Sequence, residues 1–349
     1  MRRPPLTRVL VPFLAGIVGL ATLPLAGIYA SSEWKIRRPY DAPLVPLRAR
    51  EHVDLAEGER MARIVGCLAG CHGPDGEGGR EQIAGIVRHT APTLSDVLPR
   101  YSDAELVRLI RYGVKRDGRS AVGMISYTFW PLGDEDLANI IARLRRLPRS
   151  PPVPRELDLT IRGRLALATG DWKVSAAQVD RTIPRWGELP RTTAFERGRY
   201  LASVTCAECH GLDFRGNALE RAPSLAVVAA YAPGAFRHLL RTGEALGGRD
   251  LGLMSRVSRN AFSLFTDEEI SDIYIFLRGH HGLDALVDEA AGPQRAGGRL
   301  GRPVDGRHTR SARVGNFAPA RAPADTHGAI RSGLRSALRS VIHVRQPRT

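Results

Sequence analysis

The feature that most constrains this chain is that it contains one segment twice. "GERMARIVGCLAGCHG" at 58–73 matches "GRYLASVTCAECHG" at 198–211, and "APTL" at 91–94 matches "APSL" at 222–225. "YSDAELVRLIRYG" at 101–113 lies over "YAPGAFRHLLRTG" at 231–243. "GDEDLANIIARLRRLP" at 133–148 lies over "TDEEISDIYIFLRGH" at 266–280. A unit of about 90 residues is present in two copies, and whatever it builds, it builds twice.

Each copy carries the helical period. In the first, Leu55, Met61, Ala62 and Val65 share one helix face. Ser102 and Glu105 have capping-box spacing ahead of Leu106, Leu109 and Ile110, and Thr266 and Glu269 repeat that signature ahead of Ile270, Ile273 and Phe276. No clear alternating strand pattern appears in either copy. The expected fold class is therefore all-α, with two tandem helical domains at 52–148 and 194–284. Between them, 149–193 opens "RSPPVPREL" and has the composition of a linker, although Trp172 and Trp186 predict that part of it packs onto a domain.

The ends are of a different kind. Residues 1–8 carry three arginines, and 9–30 run uncharged for 22 residues. As a helix that run rises roughly 33 Å, enough to cross a bilayer core, and the arginines ahead of it favour a cytoplasmic start. The expectation is an N-terminal transmembrane helix, with a cleaved signal as the alternative, then a short linker at 31–51. This places the body on the periplasmic face of a bacterial inner membrane. At the other end, 285–349 holds twelve arginines against four acids and has no apolar period, the composition of a disordered basic tail. The tail supplies much of the net charge of +15, so that charge says little about the folded part. No nucleic-acid partner is expected of an exported protein.

Only four cysteines are present, and all lie in the repeated motif: Cys67 and Cys71 in the first copy, Cys206 and Cys209 in the second. A histidine follows each pair at once, His72 or His210. Cys-x-x-Cys-His is the pattern of covalent haem attachment, in which two thiols add to the vinyl groups and the histidine becomes an iron ligand. Cys206, Cys209 and His210 satisfy it as written. Cys67 and Cys71 have one more residue between them, but Cys71 and His72 stay adjacent, so only the first sulfur has a longer arc to span. The inserted Gly70 gives the backbone freedom to bulge there. The second axial donor is expected from Met124 and Met254, which occupy equivalent places in a methionine-poor chain. Pro92 and Pro223 are equivalent too, and their carbonyls are candidates for holding the imidazole Nδ1–H. Zinc is disfavoured, because each copy offers three neighbouring donors where a tetrahedral site needs four. A thiol–disulfide function leaves both histidines without a role. His52, His89 and His238 are expected on surfaces or helix faces, with His89 the alternative donor should Met124 fail.

On these residues the chain resembles membrane-anchored dihaem cytochromes c built from two class I cytochrome c domains, including the cytochrome subunits of periplasmic dehydrogenases. The resemblance rests on "CLAGCHGPDGEGG", "CAECHGLDFRGN", the "APTL" and "APSL" segments, Met124, Met254 and the acidic-capped closing helices, and it covers 52–148 and 194–281. It implies helices wrapped round two covalently bound haem c groups, electron transfer through an exposed haem edge, and close crossing of the first and last helices at Gly58 and Gly198. The implied function is electron transfer between a periplasmic donor such as a dehydrogenase and a downstream oxidase or soluble cytochrome, with redox donor and acceptor proteins as partners. The alternative is a dihaem redox enzyme acting on a small sulfur compound or peroxide. Such chemistry needs an open iron position, whereas both copies supply a methionine. The departures from the family pattern are the Cys67–Cys71 spacing, the absence of a proline after either methionine, and Arg143, which stands where the second copy has Phe276.

Overall fold

The computed structural model describes residues 7–47, 52–83, 85–218 and 220–291. The first copy comprises α2 (Leu55–Ile64), α3 (Leu94–Val97), α4 (Asp103–Tyr112), α5 (Ser126–Phe129) and α6 (Asp134–Leu144), preceded by α1 (Thr7–Arg37). Strands β1 (Gly79–Ile83), β2 (Val87–Ala91) and β3 (Leu157–Leu159) belong to it, and α7 (Ile161–Thr169) and α8 (Ser175–Gln178) follow. The second copy comprises α9 (Ala194–Thr205), α10 (Ala207–His210), α11 (Pro233–Thr242), α12 (Leu253–Asn260) and α13 (Asp267–Ala291), with the small strands β4 (Glu244–Ala245) and β5 (Arg249–Asp250).

The helix starts follow from their caps. Asp54 accepts from the backbone N–H of Ala56 and Glu57 at the head of α2. Ser102 and Glu105 close a reciprocal box at the head of α4, and Thr193 and Glu196 do so at α9. At α13 the Glu269 N–H donates to Thr266 Oγ1 while Glu269 Oε2 accepts from the Thr266 N–H. Within each copy the first and last helices cross at a glycine. A Cβ on Gly58 would lie 2.2 Å from the Asn139 carbonyl oxygen, and one on Gly198 1.9 Å from that of Asp272. No side chain fits between the backbones, so glycine sets the approach.

The two copies meet face to face through equivalent positions. Arg60 on α2 donates to both carboxylate oxygens of Glu269 on α13, at 2.8 and 2.9 Å. Tyr200, which occupies the place of Arg60 in the repeat, donates to Asp136, which occupies the place of Glu269. The same pair of positions is thus used in both directions, the mark of a two-fold, self-complementary interface inside one chain. An unbroken apolar core runs across it, from Met61 and Leu137 to Leu201 and Ile273.

Two expectations about fold class are corrected. The chain is not all-α: β1, β2 and β3 form an antiparallel sheet in which Gly79 pairs with Ala91 and Val87 with Leu159, and β4 pairs with β5. The strand β3 comes from 149–193, which is folded rather than a simple linker. Leu159, Leu167, Trp172 and Val174 form a second apolar cluster there with Val87. The expected transmembrane helix is also overturned, because among the described residues no helix is long and apolar enough to cross a membrane. Instead α1 runs on past Ala30 to Arg37, and its end is committed to protein. Lys35 Nζ donates to the Leu167 and Ala168 carbonyls at the end of α7, Arg164 donates to Glu33 and Ser32, and Ser32 is fully buried. The basic segment from 292 onward lies outside the described residues, and α13 carries the chain as helix through Ala291.

Candidate functional site

The two cysteine–histidine motifs differ in backbone form. In the second copy α9 ends at Thr205 and α10 follows, so Cys206, Cys209 and His210 lie on consecutive helical turns. The Cys206 N–H donates to Ala202 at 2.8 Å and the His210 N–H to Cys206 at 3.0 Å. In the first copy α2 ends at Ile64, and the motif runs as a series of turns. Gly66 adopts a left-handed φ of +85°, and the Leu68 N–H reaches back to the Ala62 carbonyl at 3.0 Å. A Cβ on Gly70 would lie 2.7 Å from the Gly66 carbonyl oxygen. The extra residue is absorbed in a wider turn that needs glycine at both ends.

After this divergence the two sites converge. His72 Nδ1 donates to the Pro92 carbonyl at 2.9 Å, and His210 Nδ1 to the Pro223 carbonyl at 2.8 Å. With Nδ1–H so used, Nε2 carries the lone pair, the tautomer that a metal requires. Burial lowers the pKa of both imidazoles, and for His72 the proximity of His89 adds to this against the Pro92 bond, so both are neutral near neutral pH. The thiols move the other way. Burial pushes Cys67 and Cys209 up to about 12 and Cys71 and Cys206 up to about 11, with carboxylates of Glu81 and Glu208 adding to Cys71. Raised values of this kind disfavour the thiolate that thiol–disulfide exchange uses.

Both motifs open onto one continuous cavity of about 1100 Å³, whose wall is mainly apolar. Met124, on the loop before α5, and Met254, on α12, both line it together with His72 and His210. Leu98, Phe129, Phe262 and Phe265 are among the apolar side chains around it. A cavity of this size exceeds the roughly 300–1000 Å³ of an ordinary small-molecule site. Its donor set of neutral imidazole and thioether, beside paired thiols, fits haem. Cys67, Cys71 and His72, and Cys206, Cys209 and His210, are the residues placed to hold it.

Residues 195–281 match the cytochrome c family model. A cytochrome c domain is thus present in the second copy; it implies covalently bound haem c and a role in electron transfer. The first copy lies outside the match, and no curated protein matches the chain. Against the cytochrome c domain of the second copy, the first shows what the repeat alone left hidden. Its cavity wall includes the β-sheet, through His89 and Leu157, so His89 lies on a strand and not on a helix face. The motifs are also tied together: Tyr127 of α5 donates to the Glu208 carbonyl, between Cys206 and Cys209, at 3.3 Å. Arg143, in place of Phe276, pairs with Glu59 at 2.6 Å, whereas Phe276 packs against Phe195 and Phe214. Nothing in local sequence announces the sheet wall or the tyrosine bridge, because their partners lie far away along the chain.

Proposed function

We propose that this protein is a dihaem c-type cytochrome that carries electrons between a donor protein, such as a dehydrogenase, and an acceptor such as an oxidase or soluble cytochrome. One haem is attached at Cys206 and Cys209 with His210 and Met254 as axial ligands, and the other at Cys67 and Cys71 with His72 and Met124. The bound groups supply a one-electron iron couple, and Met/His ligation favours the higher potentials suited to a carrier. The chain's own residues anchor, orient and dehydrate them. The Pro92 and Pro223 carbonyls fix each imidazole's tautomer and aim, and the apolar wall limits water.

The observation that carries the second haem is the shared geometry of the copies. Despite unlike motif backbones, both histidines turn Nδ1 to an equivalent proline carbonyl and both methionines line the same cavity. The arginine-led uncharged run at 9–30 supports an exported protein acting in the periplasm. Peptide mass mapping of the purified protein, expressed with a functioning haem-attachment apparatus, tests the assignment. Haem mass is expected on the peptides bearing Cys67–Cys71 and Cys206–Cys209, with two haems per chain by extraction assay. Haem on the second peptide alone overturns the dihaem assignment.

A further inference from the structure

The first copy holds a nitrogen donor in its cavity wall that the second lacks. Between the motif histidine and its proline partner the chain advances 20 positions in the first copy and 13 in the second. The β1–β2 hairpin takes up the surplus, with Val87 and Ala91 buried and Arg88 turned out to Asp158. His89 and Ala91 line the cavity with His72 and Met124. The central strand β2, paired on both sides, fixes the backbone of His89.

The ring of His89 is packed on the segment that carries Met124. A Cβ added to Gly123 would lie 2.3 Å from His89 Nε2, and Gly123 is the residue before Met124. Its φ of +82° independently calls for glycine, so the position is both a left-handed turn and a seat for the imidazole. His89 Nδ1 is buried and has no hydrogen-bond partner. A buried imidazole nitrogen left unpaired is uncommon in a folded protein and points to a further group that completes the ring's surroundings. In the second copy Leu253, exposed to 49 %, stands in place of Gly123, and Glu220, a cavity-lining carboxylate, stands in place of His89.

Resting on the assignment of a haem to the first copy, we propose that His89 is a reserve distal ligand there, taking the iron coordination position when Met124 leaves it. Thioether and imidazole both suit haem iron, and exchange of the first for the second breaks one Fe–S bond and forms one Fe–N bond with no change in oxidation state. Loss of Met/His ligation lowers the reduction potential. The first haem then has two redox settings, and the second has one.

The test is Met124→Leu in the full chain, followed by electronic and electron paramagnetic resonance spectra of the ferric protein. The second haem serves as the internal reference. The first haem is expected to stay six-coordinate and low-spin with a bis-imidazole signature, and its potential to fall. Met124→Leu combined with His89→Ala is expected to be high-spin at that haem and to return to low-spin on adding free imidazole, while His89→Ala alone keeps the methionine charge-transfer band. A high-spin first haem in Met124→Leu, with haem mass still on Cys67 and Cys71, overturns the proposal. A low-spin first haem that survives the double substitution overturns it too. Absence of haem mass from Cys67 and Cys71 in the unsubstituted protein removes the dihaem assignment itself, and the inference with it.

Discussion

The two copies solve the same problem with different surroundings. The second keeps its cysteines and histidine on helical turns and leaves Leu251 and Leu253, beside Met254, exposed at 41 % and 49 %. The first carries a wider motif turn and a sheet that forms part of its cavity wall. What survives in both is the histidine–proline hydrogen bond, the methionine at the cavity and the glycine at the helix crossing. The first two of these shared features are the ones that the proposed haem sites would require. What varies is what lies between the cavity and solvent. That difference is not uniform. The methionine side is the more exposed in the second copy, whereas at the motif the first copy is the more exposed, with Cys71 exposed and His72 half-buried against a buried His210.

The two copies are most sensitive to substitution at their helix crossings. Gly198→Ala and Gly58→Ala each drive a methyl into a backbone carbonyl that cannot rotate away. Each is expected to lower stability by about 4 kcal/mol or more in urea unfolding. Gly234→Ala, in α11 with nothing within 4 Å of the added Cβ, is expected to be neutral or stabilising by up to about 1 kcal/mol. Equal effects at all three positions rule out the close crossing as the reason for glycine. The next contrast lies one turn along the same helices. Phe276 is buried among Phe195, Phe214 and His280, so Phe276→Ala is expected to cost about 3 kcal/mol. Arg143→Ala loses a partly exposed pair with Glu59 and is expected to cost about 1 kcal/mol or less. Similar losses at the two positions mean that the crossings do not differ in packing.

Much of this was legible in the sequence because it is local. The capping residues Ser102 and Glu105 sit three positions apart, and the motif cysteines and histidines are neighbours, so short-range chemistry reveals them. The repeat extended that reading to Met124, Met254, Pro92 and Pro223, since equivalence stands in for contact. The sheet was invisible for the opposite reason: β2 pairs with β3 across a separation of about 70 residues, and a three-residue strand has no period to detect. The uncharged run at 9–30 misled because hydropathy measures what a helix tolerates. It does not register that Ser32, Glu33 and Lys35, just beyond it, dock on α7. His89 was expected on a surface or helix face and lies on a strand instead, because its strand partners and its neighbour Gly123 are near only in space.

A pH-dependent contrast separates the copies by their charge. Glu208 lies between Cys206 and Cys209, where the first motif has Leu68, Ala69 and Gly70. Burial, and then the charge of Glu220, push its carboxyl up to about 7. A carboxyl raised in the folded state binds a proton that the unfolded chain has already released. Its contribution is therefore fully present below the unfolded value of about 4.3 and is lost as pH rises toward 7. Glu208→Gln removes the titration while keeping the shape. Relative to the parent, the variant is expected to be unchanged at pH 4 and to gain on the order of 2 kcal/mol at pH 8, with the gain developing between those limits. Urea unfolding of both proteins across that range gives the difference directly, and Leu68→Gln provides a control whose cost does not vary with pH. A Glu208→Gln difference that is flat in pH means that water reaches the carboxylate, and the two motifs are then equally wet.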